Sequence, residues 1–352
     1  MTEARTDKFW MARALELATS SKSRVQPNPM VGCVLVLNNE LLSEGCHEYY
    51  GGPHAEVNAF KGLDNLSSEE LNEVTAYVTL EPCSHTGKTP PCTDLLISKG
   101  IKKVISAMED PNPLVSGSGH QKLKDSGIKV VIGVLEEEAR EVNRVFLHLI
   151  NSDLPYVCLK WAESSDGYID PEMHASEGRG SVAVSSESSS ALVQRLRSYH
   201  NAILVGRRTA VVDNPRLTSR EEGGVNPIRI VIDPRLELDY SKMRMLEGEG
   251  RTIAICESGV SASIEGLEIV DGLELGLKSV LRNLRKEGVY SILVEGGAKT
   301  LEIFIKEEVW HEAYVISSSK EFEKGLLAPE INLEGANYSE LGDDEVYHVI
   351  RC

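Results

Sequence analysis

Apolar and polar residues follow one another along the chain in short segments whose spacing predicts an α/β protein. In the first half, the apolar run at residues 31–37 is typical of a buried strand, and Asn38-Asn39 is expected to form the hairpin turn that follows it. Apolar residues at helical spacing predict helices over residues 7–19 and from residue 136 to about residue 150. Because strands and helices keep alternating, we expect the helices to cover the faces of a sheet.

The second half shows the same kind of alternation after a run of turn-forming residues. That run, NSDLP at residues 151–155, is the predicted boundary between a domain at residues 1-150 and a domain at residues 151-352. Ser185 or Ser186 is expected to cap a helix that extends to residue 199. The glycine-containing junction EGG at residues 295–297 leads from a strand into a helix, and such a junction exposes N–H groups that can bind phosphate. The other predicted elements are strands at 202–206, 228–233 and 252–256 and a helix at 277–286.

One histidine and two cysteines in the first half have the residue types of a zinc site. His54, Cys83 and Cys92 would supply one imidazole and two thiolates, and three protein ligands leave the fourth position of zinc open for water, as in catalytic sites. Glu56 lies where a carboxylate can pass protons between that water and a leaving ammonia, as in the zinc deaminases of nucleobases. The usual spacing there is P-C-x-x-C, whereas eight residues separate these cysteines. Two unrelated buried cysteines and a surface histidine are the alternative interpretation.

Composition and charge indicate which kind of molecule the protein binds and in which cellular compartment we expect it. The chain has 352 residues, enough for two domains, and no apolar run approaches the ~20 residues that span a bilayer, so we expect no membrane contact. The N-terminus lacks a secretory signal and the seven cysteines fit a reducing compartment, which predicts a cytoplasmic protein. A formal net charge of −17 without a basic cluster argues against nucleic acid as a partner. We therefore expect a small-molecule substrate.

A series of longer motifs resembles a known enzyme family. The motifs PNPMVGCV, GGPHAE, YVTLEPCSHTGKTPPC and DPNPLVSGSG are followed in the second half by LKWAESSDGYID, PIRIVID and LVEGG. They resemble the bifunctional deaminase–reductase family of riboflavin biosynthesis over nearly the whole chain. The resemblance implies an N-terminal cytidine-deaminase-like α/β/α domain with one zinc ion and a C-terminal dihydrofolate-reductase-like α/β domain that uses NADPH. It further implies that a zinc-bound hydroxide deaminates a 2,5-diamino-6-ribosylamino-pyrimidinone 5′-phosphate, whose ribosyl group is then reduced to ribityl.

The same resemblance assigns roles to individual residues. In the first domain it makes His54, Cys83 and Cys92 the zinc ligands and Glu56 the catalytic proton carrier. The substrate-binding residues that it implies are Asn28, His47, His85 and Lys88 in the first domain and Ser181, Arg197, Leu217, Arg220 and Glu295 in the second. The cofactor-binding residues that it implies are Ala162, Ala183, Thr209, Asp213, Gly296, Gly297, Ala298, Lys299, Thr300 and Leu301. Taken alone, each histidine would fit an ordinary core or surface position and each arginine a solvated salt bridge.

The second half departs from the family pattern at three positions. Ser165 stands where leucine is usual, Arg208 replaces a small residue, and Asn214 replaces an aspartate. A monofunctional zinc deaminase with a degenerate reductase domain therefore stays open, as does a zinc-stabilised binding module without turnover. Glu56 argues against the binding module, since a structural zinc site has no need of it. We also expect the protein to form a homo-oligomer.

Overall fold

The structure, a computed structural model, describes residues 5–85, 90–113, 115–172, 179–180, 182–219 and 225–351 of the chain. The chain divides into two compact units, Met1–Asn151 and Ser152–Cys352. Within the described residues, no helix is long and apolar enough to cross a membrane.

The first unit is built on a mixed sheet with helices on both faces. Its strands are β1 (Gly32–Leu37), β2 (Glu40–Cys46), β3 (Thr75–Val78), β4 (Lys103–Ser106) and β5 (Lys129–Ile132). They lie in the order β2-β1-β3-β4-β5, with β1 antiparallel to both neighbours and β3, β4 and β5 parallel. The helices are α1 (Asp7–Ser20), α2 (Ala55–Ala59), α3 (Ser68–Asn72), α4 (Cys92–Ser98), α5 (Ser118–Asp125), α6 (Glu136–Val142) and α7 (Arg144–Asn151).

Alternate residues of β1 pack into two different hydrophobic clusters, which is why the whole strand is apolar. Cys33 and Leu35 face the cluster that contains the buried residues of α2 and α4, whereas Val34 and Val36 face the cluster formed with α1. The prediction of a sheet covered by helices is therefore confirmed. The predicted hairpin turn is confirmed as well, since Asn38 and Asn39 have φ values of 53° and 61° between the antiparallel strands β1 and β2.

The helix predicted from residue 136 to about residue 150 is in fact two helices, α6 and α7. Asn143 stands between them, and its side chain binds both backbone groups of Met30. The Met30 N–H donates to Asn143 Oδ1 at 2.8 Å, and Asn143 Nδ2 donates to the Met30 carbonyl at 3.1 Å. Asn143 is buried, and its two bonds satisfy the N–H and carbonyl of Met30, which lies before the start of β1. The helix is interrupted at Asn143.

The second unit is built on a larger sheet. Its strands are β6 (Tyr156–Glu163), β7 (Tyr168–Asp170), β8 (Ala202–Gly206), β9 (Ile228–Ile232), β10 (Thr252–Ile255), β11 (Leu267–Val270), β12 (Ser291–Gly296), β13 (Glu312–Ser317), β14 (Leu326–Leu327), β15 (Asn337–Leu341) and β16 (Asp344–Ile350). The main sheet has the order β11-β10-β9-β8-β12-β6-β13-β16-β15, and β7 pairs separately with β14. The first seven strands of this order, from β11 through to β13, are parallel to their neighbours. The last two are antiparallel, β16 to β13 and β15 to β16.

Helices cover both faces of this sheet too. They are α8 (Ser190–Tyr199), α9 (Arg207–Asp213), α10 (Leu277–Lys286) and α11 (Ala298–Lys306), with short 3₁₀ turns at Tyr240–Lys242, Arg244–Leu246 and Leu273–Leu275. Buried residues of α10 and α11, such as Leu281 and Phe304, pack in one hydrophobic cluster. Leu192 and Leu196 of α8 pack in the other. The α/β fold class is therefore confirmed in this unit.

One local prediction in the second unit is wrong. Neither Ser185 nor Ser186 caps α8, whose preceding residue is Ser189. The Ser186 N–H, the Ser186 hydroxyl and the Ser189 hydroxyl all donate to Asp344 Oδ2, at 2.8, 2.8 and 2.6 Å, so these serines bind a carboxylate from the last hairpin instead. The predicted strand at 202–206 leads directly into helix α9.

Candidate functional site

Three side chains of the first unit converge on one point. His54 immediately precedes α2, Cys83 lies in the loop after β3, and Cys92 is the first residue of α4. The Cys83 and Cys92 sulfurs are 3.5 and 3.3 Å from the same nitrogen, Nδ1 of His54, and all three atoms lie within 4.8 Å of one another. The sequence prediction that these residues meet agrees with this arrangement, although eight residues separate the two cysteines.

The chemistry of this cluster fits zinc. Two sulfurs and one imidazole nitrogen are ligand atoms that zinc prefers, and a set of three leaves one tetrahedral position for water. The Cys92 N–H at the start of α4 donates to Cys83 Sγ at 3.3 Å. Hydrogen bonds from Cys92 and His54 lower the pKa of the Cys83 thiol well below its ordinary value, which favours the thiolate that a metal requires.

Glu56 is placed beside the cluster and is shielded from solvent. It lies in the first turn of α2, two residues after His54, and only 3% of its surface is exposed. Burial raises the pKa of the Glu56 carboxyl. A carboxyl group whose pKa moves toward neutrality can both accept and return a proton, which is the property that an acid–base catalyst needs.

The cluster and Glu56 open onto a cavity of about 480 Å³. His47 stands in its wall in a defined tautomer: Nδ1 donates to the Pro53 carbonyl at 2.9 Å, so Nε2 accepts from Asn28 Nδ2 at 3.2 Å. Lys88, the remaining residue expected near the substrate, lies outside the described residues. Polar and aromatic residues that line the cavity are Asn28, His47, Tyr50, His54, Glu56, Glu81, Cys83, His85, Asp110 and Asn112, together with Phe146.

Glu81 holds the loop that carries Cys83, a role that no sequence motif indicates. Its Oε2 accepts from the N–H groups of Asp110 and Gly117 at 3.0 and 2.9 Å, and its Oε1 accepts from those of Gly119 and His120 at 2.7 and 3.2 Å. The carboxylate thus joins the segment before Cys83 to the start of α5. A side chain at Gly119 would meet the Pro82 carbonyl at 2.1 Å, so only glycine permits this approach.

We expect Glu81→Gln to destabilise the first unit and to weaken zinc retention. The amide has one acceptor oxygen, so its NH₂ group would face two N–H donors, each losing a charge-assisted bond worth roughly 1.5–3 kcal/mol. Urea unfolding and zinc content after dialysis measure the effect, with Glu73→Gln, at an exposed glutamate of the same unit, as the matched control. An unfolding free energy equal to that of the control would contradict this role of Glu81.

The second unit contains a cavity of about 250 Å³ at the carboxyl ends of β6 and β12. Seven of the residues expected to bind cofactor or substrate meet there, namely Ala162, Ala183, Thr209, Asp213, Glu295, Gly296 and Gly297. Burial, reinforced by the charge of Asp170, raises the pKa of Asp213. Other residues in the wall are Lys160, Trp161, Ile169, Asp170, Val182, Val184, Ser185, Arg208, Val212 and Leu326.

The glycine junction between β12 and α11 is closely packed against α9. Gly297 has a φ of +75°, and an added Cβ atom would lie 3.2 Å from Thr209 Oγ1. At Gly296 the same atom would lie 3.1 Å from the Thr209 side chain, and at Gly206 it would lie 2.2 Å from Thr300 Oγ1. These positions leave no room for a larger side chain. The backbone itself therefore forms this wall of the cavity.

Arg197 does not stand at an open anion site. Its Nε and Nη2 atoms donate to the two carboxylate oxygens of Glu295 at 2.8 and 2.5 Å, and both side chains are largely buried. Lys160 lies close enough for its charge to interact with both groups, and burial lowers the pKa of its ammonium group. Binding of a substrate phosphate by Arg197 stays a prediction.

Other residues from the expected set lie apart from this cavity. Leu217 and Leu301 are 3% and 0% exposed and belong to the hydrophobic clusters, so their side chains contact the core and not the cavity. Ala298 and Thr300 are buried, whereas Lys299 is exposed. Ser181 and Arg220 lie outside the described residues. Asp170 was missed, although its position at the end of the DGYID motif is a signal that could have indicated it.

Family models match both units. The model described as the cytidine and deoxycytidylate deaminase zinc-binding region matches residues 4–108, which include His54, Glu56, Cys83 and Cys92. The model described as the RibD C-terminal domain matches residues 155–320, which include all the residues that line the second cavity except Leu326.

Similar proteins cover the chain nearly end to end. Riboflavin biosynthesis protein RibD from Aquifex aeolicus is 38% identical over 341 residues, covering 96% of this chain and 90% of that protein. The corresponding protein from Bacillus amyloliquefaciens is 35% identical over 346 residues, covering 96% and 90%. The crystal structure of a diaminohydroxyphosphoribosylaminopyrimidine deaminase/5-amino-6-(5-phosphoribosylamino)uracil reductase from Thermotoga maritima has a TM-score of 0.87 at 35% identity, covering 98% and 99%. The chain therefore belongs to the RibD family of bifunctional deaminases and reductases of riboflavin biosynthesis.

Proposed function

We propose that the first unit deaminates a 2,5-diamino-6-ribosylamino-pyrimidinone 5′-phosphate and that the second unit reduces the ribosyl group of the product with NADPH. The observation that carries the first reaction is the position of Glu56, a buried carboxyl beside three zinc-type ligands at the wall of a cavity. A structural metal site requires neither the carboxyl nor the cavity. A zinc-stabilised binding module is therefore the weaker interpretation.

In this proposal the residues of the first unit divide the chemistry among them. His54, Cys83 and Cys92 would hold the zinc ion, which would supply a Lewis acid that lowers the pKa of a water molecule. Glu56 accepts the proton of that water at a carboxylate oxygen and delivers it to the departing amino nitrogen. Burial raises the pKa of Glu56, which makes its carboxyl a better proton acceptor than an exposed glutamate.

Asn28 and His47 are proposed to position the pyrimidine. The Pro53 carbonyl holds the His47 ring, and the His47 ring in turn holds the Asn28 amide, so both side chains reach the cavity in fixed orientations. A rigid polar wall of this kind reduces the entropy lost when the ring is bound in a reactive orientation. His85 lies at the exposed rim of the same cavity.

In the second unit, NADPH carries the hydride, and the protein supplies binding and orientation. Glu295 faces the cavity with its orientation fixed by Arg197. Its carboxylate, with those of Asp170 and Asp213, offers acceptors for the hydroxyl groups of a ribosyl chain. Ala162, Thr209 and the backbone of the glycine junction are proposed to contact the nicotinamide nucleotide.

The three departures from the family pattern are accommodated locally, which supports an intact second unit. Asn214, with a φ of 41°, donates from Nδ2 to the Lys242 carbonyl at 2.9 Å and accepts from the Arg244 N–H at 2.8 Å, a pair of bonds that an aspartate could not make. The Ser165 N–H and hydroxyl both donate to the Lys320 carbonyl. Arg208 donates to the Glu172 carbonyl at 3.2 Å and lines the cavity.

A coupled assay on the full chain tests the proposal. We expect ammonia release from the diaminopyrimidine nucleotide without NADPH, and NADPH oxidation only after deaminated product has formed. Ammonia release without any NADPH oxidation or binding would establish the alternative, a monofunctional deaminase. No ammonia release by zinc-loaded protein would overturn the proposal for the first unit.

We expect Gly297→Val to weaken NADPH binding strongly. Valine at a φ of +75° is strained, and its side chain would press on Thr209 at the wall of the cavity. To relieve this strain and the contact with Thr209, the backbone that forms the cavity wall must shift, so the dissociation constant measured by NADPH fluorescence should rise roughly 10-fold or more. Gly335→Val is the matched control, because Gly335 has a φ of +78° in an exposed turn with open space around it. Equal affinities in the two variants would remove the glycine junction from the cofactor site.

The cytoplasmic location and the homo-oligomer are also proposals. Among the described residues, six cysteines are present as thiols and none is in a disulfide, which is typical of proteins in a reducing compartment. Light scattering coupled to size-exclusion chromatography measures the oligomeric state directly.

A further inference from the structure

A second cluster of potential metal ligands lies inside the second unit. Cys158 of β6, His200 just after α8, and Glu312 at the start of β13 place one ligand atom each within 4.8 Å of the other two. Cys158 and Glu312 are register partners on neighbouring parallel strands, so their side chains emerge side by side from the same face of the sheet. All three residues are at most 1% exposed, and none lines the second cavity, the one at the carboxyl ends of β6 and β12.

His200 presents a nitrogen lone pair to this cluster. Its Nδ1 donates to the Leu196 carbonyl at 2.8 Å, while its buried Nε2 has no hydrogen-bond partner. The carboxylate atom Glu312 Oε1 is 3.7 Å from Nε2, beyond hydrogen-bonding distance. Nε2 therefore lies within ion-pair distance of Glu312 but makes no hydrogen bond, and a buried nitrogen without a hydrogen bond costs free energy that a bound cation would recover.

The separation of His200 and Glu312 and the surrounding hydrogen bonds fit a zinc site. Ligand atoms about 2.0–2.3 Å from a tetrahedral zinc ion stand roughly 3.3–3.8 Å apart, and the separation of His200 Nε2 and Glu312 Oε1 is 3.7 Å. Metal-binding histidines usually donate their other N–H to a carbonyl or carboxylate, as Nδ1 of His200 does. The second oxygen of Glu312 accepts from His348 Nε2 at 3.0 Å, and the His348 ring stacks on Tyr314.

We propose that Cys158, His200 and Glu312 bind a second divalent cation of the zinc type, with a structural role in the second unit. On binding the cation, Cys158 would release to solvent the proton that its thiol now donates to the Leu159 carbonyl. The resulting thiolate and the carboxylate of Glu312 carry two negative charges, which a divalent cation neutralises in a region closed to solvent. The ion would connect β6 and β13 to the end of α8. Because the ligand set combines sulfur, nitrogen and oxygen, it favours zinc over calcium or magnesium.

Metal stoichiometry of the intact chain is the first test. After saturation with zinc alone and removal of loosely bound ions, elemental analysis should give about two zinc ions per chain, because two separate three-ligand sets are present. The full-length Cys83→Ser/Cys92→Ser variant should retain one. If the wild type holds a single zinc and this variant holds none, the proposal is overturned, and His200 then forms an ion pair with Glu312 without metal.

Variants in the Cys83→Ser/Cys92→Ser background assign the remaining metal to its ligands. Cys158→Ala and His200→Gln should abolish zinc retention, whereas His348→Gln should weaken the affinity by roughly 10–100-fold, as expected for a residue that only orients a ligand. Cys256→Ala removes another buried thiol of the same unit and should retain the metal. Cobalt provides a second readout, since a sulfur-to-cobalt charge-transfer band should be present in the parent and absent after Cys158→Ala. A metal retained by both the Cys158 and the His200 variants would refute the site.

Discussion

Glu56→Gln should almost eliminate deamination while leaving zinc, fold and NADPH-dependent reduction in place. The glutamine keeps the size of the side chain but cannot carry a proton between the water and the departing amino group. General acid–base catalysis is typically worth ~10²–10⁴ in rate, and Glu56 serves in two successive transfers, so we expect a loss at or above the upper end of that range. Ammonia release from the diaminopyrimidine nucleotide measures it.

The comparison that isolates proton transfer uses three further measurements. Zinc content must equal that of the wild type, because loss of metal would remove activity for a different reason. NADPH oxidation with deaminated substrate should be unchanged, since Glu56 and the second cavity lie in different units. Glu73→Gln, at an exposed glutamate of the same unit, should deaminate at the wild-type rate. Ammonia release within tenfold of wild type by zinc-loaded Glu56→Gln would refute the catalytic role.

Cys92→Ser should lose the zinc ion of the first unit together with deamination. A serine hydroxyl is a poor zinc ligand at neutral pH because, unlike a thiol, it does not ionise readily, so the remaining histidine and cysteine would bind the metal weakly. Cys92 is also 1% exposed at the start of α4. By elemental analysis after dialysis we expect one zinc ion fewer per chain than in the wild type, and we expect no detectable ammonia release.

Two observations distinguish loss of the ligand from general damage. Cys46→Ser removes a thiol at the end of β2, outside the cluster, and should keep both zinc and activity. NADPH oxidation by Cys92→Ser with deaminated substrate should equal that of the wild type. Undiminished zinc in Cys92→Ser would mean that the metal is bound elsewhere in the chain.

The metal cluster could be predicted from the sequence because each of its parts is local. His54 and Glu56 share one helix start, and Cys92 follows two prolines at another. The approach of His54, Cys83 and Cys92 to one another depends on the tertiary fold, which the order of strands and helices in the motif indicates. The buried strand β1 and the turn after it could also be predicted, since a run of apolar residues and an Asn-Asn pair are short-range signals.

The roles of residues with distant partners could not be predicted from the sequence in this way. Glu81 binds N–H groups that lie about thirty residues further along the chain, and no local pattern indicates that pairing. Asn143 resembles an ordinary helix residue in the sequence, because its hydrogen-bond partner Met30 lies 113 residues away along the chain. In the second unit, Leu217 was assigned by motif position, yet its φ of 53° turns its side chain into the core. Strands β13, β15 and β16 were missed because their polar residues obscure the alternation.

The bonds between Asn143 and Met30 bear on how short an active deaminase can be. The matched deaminase region ends at residue 108, but the segment that carries Asn28 is held through Met30 by a residue 35 positions beyond that end. Phe146 of α7 also lines the cavity. A fragment cut at residue 108 would therefore lose the support of the cavity wall that carries Asn28. The smallest catalytically competent fragment must extend through α7, so the region that defines membership of the superfamily is smaller than the region that performs catalysis.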